Sequence, residues 1–160
     1  MHLATTTNMT ITEAKKFGRA KTMKATAIVL AILIALLLVS ETRGDFANGI
    51  LFFFQELFNI NSIIILGILF GLTYLFGSYA GQEIIIKKRF FLLVSLKYVF
   101  VISLAITAFA IMSGIIREGW GAAQPLLNTF FLPLFFKTSF CLLIGWLWAT
   151  NKMKALSKII

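Results

Sequence analysis

From Ala25 to Val39 the chain carries no charge, and its only polar side chain is that of Thr26. A bilayer core is about 30 Å thick and takes roughly 20 helical residues to cross. Four stretches reach that length, over about 22–40, 62–81, 90–115 and 126–150. Backbone amides and carbonyls buried in hydrocarbon must pair within the segment or within a closed barrel, and unbroken apolar runs of this length suit helices. The sequence therefore predicts an all-α integral membrane protein, a four-transmembrane-helix bundle forming one membrane domain over 1–160. Composition agrees, since 59% of residues are hydrophobic and 13% charged, against about half and a quarter in soluble domains. Little chain remains between the spans for a soluble catalytic domain.

The net charge of +9 is unevenly placed. Lys15, Lys16, Arg19, Lys21 and Lys24 precede the first span, Lys87, Lys88 and Arg89 follow the second, and Lys152, Lys154 and Lys158 follow the fourth. The other two connections hold only Arg43 and Arg117. This alternation is the positive-inside pattern, and it predicts cytoplasmic N and C termini with residues 1–21 as a cytoplasmic segment. Anionic lipid headgroups and topology account for the charge, so membrane lipids are expected as partners and nucleic acid is not. The lysine bias and compactness favour a bacterial inner membrane.

Thr10-Ile-Thr-Glu13 has capping-box spacing and opens a basic, helix-tolerant run to Lys24. That run reads as a topological stop signal, with a lipid-surface helix as the alternative. A cleaved signal peptide fits the first span less well, because Val39-Ser-Glu41 lacks a small-x-small cleavage pattern. Over about 46–58, Phe46, Ile50, Phe53, Phe54 and Leu57 share one helical face. The segment is too short to span and predicts an amphipathic helix flat on the outer interface; a dipping pore helix has similar length and aromatic content. Pro133 should bend the fourth span. Trp146 and Trp148 are expected near the inner interface and Trp120 near the outer one.

Small residues suggest where helices meet. Gly67, Gly71, Tyr74, Ser78 and Gly81 lie along nearly one stripe of the second span, and small-xxx-small spacing lets backbones approach closely in lipid. Ser103, Thr107, Ala110 and Gly114 form a second small face on the third span, a natural mate for the first. These seams serve either packing within the chain or assembly with another copy.

Two lysines fall within spans. Lys137 is near the middle of the fourth, where a cation costs on the order of 3 kcal/mol by insertion scales. It should face the bundle or an assembly rather than lipid. Lys97 lies closer to the inner boundary, where snorkelling is the simpler expectation. No Asp or Glu falls inside a span, although Glu83 ends the second. Lys137 thus has three outlets: water in a pore, an acidic residue on a partner helix, or loss of its proton.

Enzymatic chemistry is not expected. The carboxylates are solitary and peripheral, the single histidine is His2, and the single cysteine, Cys141, is expected to pack rather than react. No cofactor-binding motif or metal-ligand spacing is visible, so neither cofactor nor metal is expected. No family motif appears; in span count alone the chain resembles several groups of small four-span bacterial proteins, which implies no activity. The expected function is a non-enzymatic membrane subunit that self-associates or docks another membrane protein. The alternative is a small oligomeric channel or transporter with Lys137, and with it Lys97, lining the path.

Overall fold

The computed structural model describes residues 9–41, 50–51, 54–55 and 58–158. The flat helix expected over 46–58 lies largely outside them. Four long helices account for most of the described chain: α1, Ile11–Glu41; α2, Ile60–Ile86; α3, Phe91–Glu118; and α4, Ala123–Ser157. The last three contain 27, 28 and 35 residues with mean hydropathies of 2.0, 2.5 and 1.8. They are long and apolar enough to cross a bilayer, which makes the chain a multi-pass membrane protein.

α1 is longer than its apolar run. The basic segment after Thr10 and the apolar stretch after Lys24 form one helix of 31 residues. Its start is a reciprocal capping box: the Thr10 amide donates to Glu13 Oε2 at 2.8 Å, and the Glu13 amide donates to Thr10 Oγ1 at 3.3 Å. α2 starts at Asn59, whose side chain accepts from the Asn61 amide at 3.0 Å. It ends in a π-helical turn, Gln82–Ile86. A second π-helical turn, Leu127–Phe131, lies just before Pro133 in α4. Proline's ring crowds the carbonyl four residues back, here Thr129, and widening that turn relieves the crowding.

The helices follow one another around the bundle, each antiparallel to the next, with α1 closing against both α2 and α4. Small residues bring α1 to its neighbours. A methyl group built on Gly18 would lie 2.2 Å from the Gly77 carbonyl oxygen and 2.7 Å from Gly81 Cα. One on Gly81 would lie 2.2 Å from the Ala14 carbonyl oxygen, and one on Gly145 would meet Val29 Cγ2 at 2.7 Å. The lower stripe of α2 therefore closes on α1, not on the small face of α3 that the spacing suggested as its mate. α3 is held instead by larger groups: Tyr98 stacks on Phe76 of α2 with centroids 5.1 Å apart, and Ser95 Oγ and Thr150 Oγ1 of α4 share a hydrogen bond of 2.6 Å.

Trp146 corrects an expectation. It is fully buried with its ring centroid 6.1 Å from that of Tyr98, so it is a core residue and not an interfacial anchor. Trp148 and Trp120 are exposed.

Antiparallel packing gathers the three basic clusters at one end. Gly18 of α1 sits beside Gly81 of α2, Lys88 Nζ donates to the Ser157 carbonyl, and Lys154 Nζ lies 4.7 Å above the Phe91 ring. Lys88 turns the chain between α2 and α3 in a left-handed conformation, φ 51°. Glycine takes the corresponding role at the far end, where Gly119 has φ 88°.

Candidate functional site

The tight α1 contacts belong to the basic half of the bundle. Beyond Thr26 no described residue of α1 is fully buried. There the helices part, leaving a cleft of about 510 Å³. Thr26, Val29, Leu30 and Leu33 of α1 form one wall, Ile65, Leu66 and Leu69 of α2 another, and Leu134, Lys137, Thr138, Cys141 and Leu142 of α4 the third. The volume falls within the range of small-ligand sites, about 300–1,000 Å³. The lining is almost wholly apolar. Thr138 turns its hydroxyl onto the carbonyl of Leu134, so Lys137 contributes the only charge among the lining residues.

Lys137 is exposed at this cleft and has no hydrogen-bond or ion-pair partner among the described residues. Fifteen residues separate it from Lys152, about 22 Å along a helix. Helical side chains lean toward the N-terminus, and for α4 that direction points away from the basic end. With Lys152 at one boundary of a core about 30 Å thick, Lys137 sits in the opposite third rather than at the midplane.

Lys97 is placed differently and is not part of the cleft. It lies near the basic end of α3, with Nζ 3.5 Å from Glu83 Oε1 and 4.7 Å over the Tyr98 ring. Arg89 reaches the same oxygen at 3.3 Å. The Glu83 side chain is 13% exposed, against 56% for each cation, so one sheltered carboxylate serves two flexible partners. Its position in the π-helical turn at the end of α2 aims it at both.

The other candidate residues divide by depth along their helices. Gly67 and Gly71 have nothing within 4 Å of an added methyl group, whereas Gly81 is packed to its limit. Ser78 is buried beside Gly77 and Gly81. Thr107 is fully buried and its hydroxyl meets no partner among the described residues, as is also true of Thr26, Thr73 and Ser103. Gly114 faces the Leu126 side chain, 3.1 Å from an added methyl.

Sequence reasoning passed over Gly18, Thr22 and Gly145. The signal was present: Ala14, Gly18, Thr22 and Thr26 recur every four residues, the same spacing that marked α2.

Among the described residues, no group of three His, Cys, Asp or Glu side chains comes together to hold a metal ion. No protein-family model matches the chain, and no curated protein or solved structure is detectably similar to it.

Proposed function

We propose that the chain is a non-enzymatic subunit of a membrane assembly. It crosses a bacterial cytoplasmic membrane four times, with α1 as the first span and both termini on the basic, cytoplasmic side. It docks an acidic transmembrane helix of a partner protein at the Lys137 cleft. The carrying observation is the contrast between its two intramembrane lysines. Lys97 has Glu83 within its own chain, while Lys137 stands unpaired beside an open apolar cleft. An uncompensated cation costs on the order of 3 kcal/mol at the midplane and less toward the outer third, where Lys137 lies. A partner carboxylate would offset that cost and would also fix the register of docking. The open face at Gly67 and Gly71 offers a separate surface for a second copy, because helices in lipid associate through small residues.

A channel through one bundle is less well supported. Trp146, Met153, Ile102 and Thr150 are fully buried and fill the centre of the basic half. Any path past Lys137 would have to run between copies.

Cys141, the only cysteine, lines the cleft one helical turn from Lys137. A thiol-reactive photo-crosslinker attached there in native membranes should capture a membrane protein bearing a span carboxylate. Lys137→Met should abolish that product. An undiminished product in Lys137→Met, or adducts to lipid alone, would remove the basis for this function.

A further inference from the structure

At the basic end, α1 and α2 enclose a second concavity, open to the surface, of about 560 Å³. Thr12, Lys15, Lys16, Arg19 and Met23 of α1 line it with Tyr74 of α2, and no carboxylate is among its lining residues. Arg19 is held in place: Nη1 donates to the Tyr74 hydroxyl at 2.8 Å, and the guanidinium lies 4.5 Å from that ring's centroid. Lys15 is one helical turn earlier on the same face and Lys16 is beside it.

Several other cations at this end are already engaged. Arg89 and Lys97 share Glu83, Lys88 is tied to the Ser157 carbonyl, and Lys154 lies over Phe91. Glu13, the acid closest in sequence to this trio, is turned onto Thr10 by the capping box. Three cations thus converge on a concavity whose deeper wall is Met23 and the Tyr74 ring, at the level where α1 changes from basic to apolar. A phosphodiester fits the cations and an acyl chain fits the wall below. Basic pockets between spans on the cytoplasmic side commonly hold anionic headgroups, and a guanidinium suits bidentate phosphate contact. We propose that Lys15, Lys16 and Arg19 bind the headgroup of one anionic phospholipid in the cytoplasmic leaflet, between α1 and α2.

The test uses the full-length protein in mild detergent, with bound lipid counted by native mass spectrometry. Phosphatidylglycerol, phosphatidylcholine and free glycerol phosphate are titrated separately. One phosphatidylglycerol per chain should be retained in preference to phosphatidylcholine, and glycerol phosphate should bind far more weakly. Lys15→Gln combined with Lys16→Gln should weaken phosphatidylglycerol on the order of 30-fold, from the usual contribution of a basic residue near an anionic surface. Lys152→Gln combined with Lys158→Gln removes the same charge from exposed positions at the same end and should have a small effect. Equal retention of the two lipids, equal losses in the two double variants, or glycerol phosphate binding as tight as phosphatidylglycerol would each overturn the proposal.

Discussion

Gly81→Ala is the sharpest test of how this bundle is held together. The added methyl would meet the Ala14 carbonyl oxygen at 2.2 Å and Gly18 Cα at 2.9 Å. Both are backbone atoms, so no side chain can rotate away and α1 must retreat from α2. Overpacking of this kind costs about 1–3 kcal/mol. Alanine returns roughly 0.5–1 kcal/mol through its helix preference, leaving a net loss of about 1–2 kcal/mol. Gly71→Ala adds the same methyl to the same helix with nothing within 4 Å. Only the helix preference operates there, and that variant should be neutral or slightly more stable. The two variants should differ by about 2 kcal/mol, near 30-fold in the unfolding equilibrium. Gly18→Ala, which meets the Gly77 carbonyl oxygen at 2.2 Å, should resemble Gly81→Ala. The double variant should cost less than the sum, because one separation of α1 from α2 relieves both clashes. Equilibrium unfolding in mixed micelles, followed by circular dichroism, measures all four. Equal stability of Gly81→Ala and Gly71→Ala would refute the close α1–α2 seam.

Glu83→Gln should leave Arg89 and Lys97 without their shared carboxylate; with both cations more than half exposed, the loss should be about 0.5–1 kcal/mol in the same unfolding assay. The Thr10 amide, and then its hydroxyl, hold the Glu13 carboxyl below the ordinary carboxylate range. A lowered folded pKa means that the capping contribution is complete above the unfolded pKa and lost as pH falls through the folded one. Protection of the amides of Thr10, Glu13 and Ala14 from exchange, relative to the intrinsic rate at each pH, should therefore fall in acid, and Thr10→Ala should remove most of that change in protection. Reporter fusions at either terminus should both read cytoplasmic, and a reading from the opposite side at one end would break the count of four crossings. Loss of the Cys141 crosslink in Lys137→Met is the corresponding test of the docking cleft.

Sequence and structure contributed at different levels. Apolar length is a local property, so α2, α3 and α4 were legible from runs of residues measured against a bilayer, although their ends lie one to seven residues from the predicted ones. The capping box was legible for the same reason, since Thr10 and Glu13 contact each other within one turn. The gathering of the basic clusters at one end follows from the antiparallel order that consecutive spans impose.

What the residues alone could not decide was rotation and tilt. A stripe of glycines states that something may approach closely, not what approaches. Turning α2 about its axis and tilting α1 across it closes Gly77 and Gly81 on Gly18 and Thr22, yet leaves Gly67 and Gly71 open. The same rotation decided the fates of two lysines that looked alike in sequence. A π-helical turn brings Glu83 to Lys97, whereas the separation of α1 from α4 beyond Val29 leaves Lys137 beside a cleft. Apolarity and length sum along the chain and so belong to the sequence. Contact depends on the relative orientation of segments tens of residues apart, and only the packed bundle supplies that.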